Sequence, residues 1–236
     1  MIYLSGDIHG NPLPIINFCK KMNLTEEDTI ILLGDVGANY YTGSRDNKIK
    51  EKLSKLPVTL FCIHGNHEMR PWETKCNYKK KEFNGGTVYY EEKYPRILFA
   101  KDGEIYNLPT ENGIKSCLVL GGAYSVDKFY RISRGFAWFD SEQPSDEIKK
   151  YAEDQIAKVG KKVDIVLSHT CPLKYEPVEA FLPMIDQSTV DKSTEEWLDK
   201  IEKTIDYKAW YCGHWHIDKH IDKMHFMYET FEILGE

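Results

Sequence analysis

The chain has 236 residues, 42% of them hydrophobic, enough for one large core and better suited to a single domain over 1–236 than to two small ones. Its formal net charge is −6, so no global positive field draws it to anionic lipid or long nucleic acid. No run approaches the roughly 20 apolar residues of a membrane span. The six cysteines lack a CxxC pair and read as reduced thiols, not a disulfide framework.

Ile2–Ser5 reads as a strand running directly into Gly6-Asp7-Ile8-His9-Gly10. No basic or apolar leader precedes it, so the expected location is cytoplasmic. Asn11 caps a helix opening at Pro12, with Ile15, Ile16 and Phe18 inward. A strand over 30–33 precedes Gly34-Asp35, and a charged helix over 46–56 turns Ile49, Leu53 and Leu56 inward. The strand 58–63 leads to Gly65-Asn66-His67-Glu68. The stretch 71–115 is polar and aromatic, and no element is assigned to it.

Further on, 116–120 and 164–168 read as strands, the second ending at His169. Between them Ser145 precedes a helix to about Val159, striped by Ile148, Ala152, Ile156 and Val159. Ser193 or Thr194 opens another, burying Trp197, Leu198 and Ile201. The strand 208–212 meets Gly213-His214-Trp215-His216, and 225–231 reads as a last strand. His220 and His225, in the charged C-terminal stretch, are expected to be solvated. Continuous Val, Ile and Leu runs of this kind suit strands buried on both faces of a layered sheet.

Five clusters of carboxylate, carboxamide and imidazole thus follow strand-like runs, and these are the ligand types that hold paired divalent cations. Asp7 and His9 lie two apart, so extended backbone puts both on one side, and His214 and His216 repeat the spacing. Two cations held close repel and require a bridging anion. Asp35 is the natural bridge, through its two oxygens. Asn66 adds a neutral carbonyl oxygen and His169 another imidazole. Each pair alone is common by chance; five in series are not.

The series DxH, GD, GNH, His, GHxH resembles the calcineurin-like metallophosphoesterases from Asp7 to His216. The resemblance implies an α/β (layered α+β) fold, two mixed β-sheets packed as a sandwich and flanked by helices in four αββα layers. It implies that Asp7, His9, Asp35 and His216 hold one metal and that Asp35, Asn66, His169 and His214 hold the second. His67 matches the family's substrate-contacting, non-ligand histidine. The GDxVDRG continuation of the protein Ser/Thr phosphatases is absent, since Gly34-Asp35-Val36-Gly37-Ala38-Asn39 lacks both the second Asp and the Arg.

A replacement Arg for phosphate is sought in Arg70 or Arg131, with Tyr124 and Asp127 as weaker candidates near the rim. Substrate contacts are therefore expected from Asn66, His67, Arg70 and Arg131. The expected reaction is in-line attack on a phosphate ester by a metal-bridging hydroxide, with His67 assisting the leaving group or a phosphoryl oxygen. The cofactors expected are two divalent ions, Mn or Fe ahead of Zn, with Co or Ni also suited to the ligands. The expected substrate is a small-molecule, nucleotide or phosphopeptide ester. The rivals are a phosphodiesterase or nuclease, and a metal-binding scaffold without turnover.

Overall fold

A computed structural model describes residues 1–236. The first sheet contains β1 (Ile2–Ser5), β2 (Thr29–Leu32), β3 (Thr59–Cys62), β4 (Tyr78–Phe83), β5 (Gly86–Glu91) and β6 (Ile97–Ala100). The second contains β7 (Ile105–Thr110), β8 (Gly113–Leu120), β9 (Ile165–Ser168), β10 (Ala209–Cys212), β11 (Lys219–Ile221) and β12 (Met224–Phe226). A final strand, β13 (Glu232–Ile233), returns to the first sheet and pairs antiparallel with β1. The orders are β13-β1-β2-β3-β6-β5-β4 and β11-β12-β10-β9-β8-β7. Both sheets are mixed: β1, β2, β3 and β6 run parallel, as do β8, β9, β10 and β12.

Alternation along the strands builds the layers. Leu4, Ile31, Phe61 and Leu98 from the first sheet meet Tyr106, Val119, Leu167 and Tyr211 from the second in one buried core. The neighbouring positions Tyr3, Ile30, Leu32 and Leu60 face outward, where α1 (Leu13–Met22) and α2 (Ser44–Leu53) cover them with Ile15, Cys19 and Leu53. On the far side Leu118, Val166 and Trp210 pack under α3 (Asp146–Lys158) and α4 (Ser193–Thr204) through Ala152, Ile156, Trp197, Leu198 and Ile201. These are the four αββα layers the resemblance implies. Burying one such large aliphatic side chain contributes about 1.5–3 kcal/mol.

Several boundaries differ from the sequence reading, for local reasons. Strand pairing stops at Phe226 because the Asp218 carboxylate takes the backbone N–H groups of Tyr228 and Thr230 at 2.8 and 3.3 Å. That folds 227–231 into a turn, not a strand. The second helix spans Ser44–Leu53 instead of 46–56, ahead of Pro57, whose ring disfavours helix at the preceding residue. The unassigned stretch 71–115 holds β4 to β7 and is turned at Asn84-Gly85, both with positive φ (49° and 86°). His220 is exposed as expected and His225 is half-buried; both donate to Glu232 on β13, at 2.7 and 3.0 Å, tying one sheet's edge to the other's. All six cysteines are free thiols, and no helix is long and apolar enough to cross a membrane.

Candidate metal centre

Parallel strands deliver the polar clusters to a common edge, where open α/β sheets expose their C-terminal turns. From the first sheet come Asp7 and His9 after β1, Asp35 after β2, and Asn66 and His67 after β3. From the second come His169 after β9, and His214 and His216 after β10. His9, Asp35, His214 and His216 all hold left-handed backbone, with φ of 44°, 46°, 67° and 52°. They are four of the nine non-glycine residues with positive φ, a conformation that persists only where surrounding structure enforces it. Gly34 and Gly213 make room for this crowding. A Cβ at Gly34 would strike the His169 ring, and one at Gly213 the Asp7 carboxylate.

Two groups of ligand atoms result. In the first, the Nε2 atoms of His9 and His216 face each other at 3.0 Å, and Asp7 Oδ2 lies 3.7 and 3.3 Å from them. Asp7 Oδ1 accepts the His214 backbone N–H at 2.9 Å, which leaves Oδ2 buried without a hydrogen-bond partner. An orphaned carboxylate oxygen beside two opposed imidazole nitrogens fits a shared cation, because a buried unpaired charge is otherwise costly. In the second group, Asn66 Oδ1 lies 2.7 Å from His169 Nε2 and 3.0 Å from His214 Nδ1. His169 Nδ1 is tied to the Leu33 carbonyl at 2.7 Å, which directs Nε2 inward.

Asp35 joins the groups. Its Oδ2 is 3.8 Å from His9 Nε2 and 3.7 Å from His169 Nε2. Its Oδ1 accepts the His67 backbone N–H at 2.7 Å. Asp35 is therefore the residue that faces both groups and that a metal in either one could share. Asp7, Asp35 and His169 lie close enough to hold one ion, as do Asp7, His9 and His216.

The stretch after β8 supports this centre, a part the sequence reading left vague. Ser125 Oγ accepts from Asn66 Nδ2 at 2.9 Å, which turns the amide oxygen toward the imidazoles. Arg131 Nη1 donates to the same hydroxyl at 3.1 Å and lies 3.7 Å from Asp127 Oδ1. That carboxylate oxygen is 3.9 Å from His67 Nε2. Asp127 thus faces the His67 ring from the segment after β8. The clue in the sequence was Ser125 and Asp127 a few residues beyond a buried strand.

Neither arginine reaches the open site. Arg70 is 1% exposed, paired with Asp102 and donating from Nε to the Ser141 carbonyl at 3.3 Å. Arg131 is 2% exposed and donates from Nε to the Ala137 carbonyl at 2.8 Å. The cavity over the ligand groups is lined by Tyr124 and Asp127 but by neither guanidinium. The expectation that Arg70 or Arg131 contacts substrate is corrected on this ground: each is spent inside the fold.

Burial alone would raise the Asp7 carboxyl, but the imidazoles of His169, His216 and His9 hold it down to about 2, ionised and ready as a ligand. Burial pushes His214 well below the usual imidazole range, and His67 is lowered by burial despite Asp35. His214 is therefore neutral at pH 7, the form that can coordinate. Glu68, buried beneath the turn, is pushed up to about 8 by burial and by Asp35, so it adds no charge at neutral pH.

No curated protein sequence matches the chain. Among solved structures, phosphopantetheinyl hydrolase from Mycobacterium tuberculosis is 14% identical, with 96% of this chain and 87% of that one covered at a TM-score of 0.47. A protein of unknown function from Aquifex aeolicus is also 14% identical, covering 75% and 81% at a TM-score of 0.28. The calcineurin-like phosphoesterase family model matches residues 1–218. With that match spanning both sheets and every ligand candidate, the chain belongs to the calcineurin-like phosphoesterases and is a metal-dependent phosphoric ester hydrolase.

Proposed function

We propose that the protein hydrolyses small-molecule phosphate esters with two divalent cations, one held by Asp7, His9, Asp35 and His216, the other by Asp35, Asn66, His169 and His214. The observation that carries this reading is Asp35 Oδ2, a single buried oxygen within 3.8 Å of an imidazole nitrogen in each group. When bound, the ions supply Lewis acidity and lower the pKa of a water from about 16 to about 7. Mn or Fe suits the mixed nitrogen and oxygen ligands, with Zn next.

The remaining steps belong to side chains of this chain. His67 lines the cavity without sharing the ligand groups, with Nε2 toward Asp127, and so sits where it can donate a proton to the departing alkoxide. Asp127, 3.9 Å from Nε2, favours the protonated ring against the burial that lowers its pKa. Asn66 contributes a neutral oxygen and so preserves the positive potential of the centre toward a phosphoryl group. The free thiols support a reducing, cytoplasmic setting.

The test is elemental analysis of wild type and Asp35→Asn, beside turnover of p-nitrophenyl phosphate and bis-p-nitrophenyl phosphate with added Mn. Two ions per chain in the wild type, and loss of at least one with loss of turnover in the variant, are expected. Full metal retention and full activity in Asp35→Asn would refute the bridging role. Turnover of the diester above the monoester would make the protein a phosphodiesterase; turnover of neither would favour the scaffold.

A further inference from the structure

We propose that the ester this enzyme acts on carries an uncharged, largely apolar alkyl or aryl leaving group, a substrate class that rests on the hydrolase reading above. The cavity over the ligand groups measures about 530 Å³, room for a phosphoryl group and a drug-sized organic substituent. Its lining combines the polar His9, Asp35, Asn66 and His67 with the apolar Phe181, Leu182, Ile185, Val190, Trp215 and Ile217. Trp215, between two ligand candidates in sequence, stacks with Phe181 at 5.7 Å and 26°, which makes a flat apolar platform beside the centre.

Charge narrows the class further. No Lys or Arg lines the cavity, whereas Asp127, Glu176 and Glu195 do. Lys192, over the Phe181 ring, is already paired with Glu176 at 2.6 Å. Arg70 and Arg131 are buried inside the fold. A leaving group bearing a second phosphate or a carboxylate would find no free Lys or Arg along this lining to pair with, a mismatch that discriminates against it. Nucleoside di- and triphosphates and sugar bisphosphates are disfavoured on this ground. The segment also carries apolar surface to solvent: Leu182, in the lining, and Met184, two residues on, are 57% and 92% exposed.

The test uses non-hydrolysable alkylphosphonates from methyl to octyl, titrated calorimetrically into the full-length Mn-loaded protein. Affinity should rise about two- to fourfold per methylene until the wall is covered, from the transfer of each group out of water. A chain of equal length ending in a carboxylate should bind at least tenfold more weakly. Phe181→Ala should flatten the chain-length series, and Leu182→Asp, placed on an exposed residue that the fold does not need, should flatten it too. A flat series in the wild type, or tighter binding of the carboxylate-ended chain, overturns the proposal while nitrophenyl ester turnover keeps the hydrolase reading standing. Loss of that turnover as well removes both.

Discussion

Replacing Ser125 by Ala tests the support of the second ligand group without altering any ligand. The hydroxyl accepts from Asn66 Nδ2 at 2.9 Å and from Arg131 Nη1 at 3.1 Å, in a region closed to solvent. Its removal strands two buried donors at about 1–3 kcal/mol each. Arg131 keeps its bond to the Ala137 carbonyl, so the expected loss of stability is about 2–4 kcal/mol in total. The amide also loses the anchor that holds Oδ1 at 2.7 and 3.0 Å from His169 and His214. Loss of such a supporting partner lowers metal affinity about 10–100-fold. Denaturant unfolding of the metal-free protein reads the first effect, and competition with a graded chelator reads the second. One metal equivalent should weaken while the other holds. An unchanged unfolding midpoint with both equivalents bound as in the wild type would show that something other than Ser125 orients the amide.

His67→Asn should slow esters of aliphatic alcohols far more than p-nitrophenyl esters, whose leaving group needs little protonation; equal losses in both would reject the acid role. Glu195 is buried and its carboxyl is pushed up to about 7 by burial, so its stabilisation is present below pH 4.5 and lost as pH climbs through about 7. That amounts to about 3 kcal/mol, and Glu195→Gln should unfold with a correspondingly flatter pH profile between those limits, which parallel profiles would contradict. Asp102→Ala leaves the buried Arg70 guanidinium without its carboxylate and should cost about 3–5 kcal/mol of stability, with KM unchanged. A raised KM at unaltered stability would return Arg70 to the substrate.

The ligand candidates were legible because each follows a strand whose Val, Ile and Leu leave few alternatives, as with Ile30 to Leu33 before Asp35. Four-layer packing was less so; it emerged from the family resemblance, since alternation is hidden when both faces are apolar. The hairpin at Asn84-Gly85 was in plain view as a turn dipeptide, but the exposed lysines of β4 carry no burial pattern to flank it. Arg70 misled because a charge near a motif looks available. Its partner Asp102 lies in a distant turn, and only the fold brings the two together. Asp127 was under-weighted for the converse reason: nothing in the sequence says that β8 lies beside β9 and ends at the same edge.

Asp7, His9, Asp35 and Asn66 hang from one sheet, whereas His169, His214 and His216 hang from the other. A cation gripped from both sides acts as a rivet through the sandwich, so its affinity and the cohesion of the two halves are thermodynamically reciprocal. A substitution deep between the layers, at Tyr211 or Phe61, should therefore surface as easier loss of metal, and metal starvation should let the halves breathe apart. The protein's tolerance of mutation in its interior would then depend on how much metal its surroundings provide.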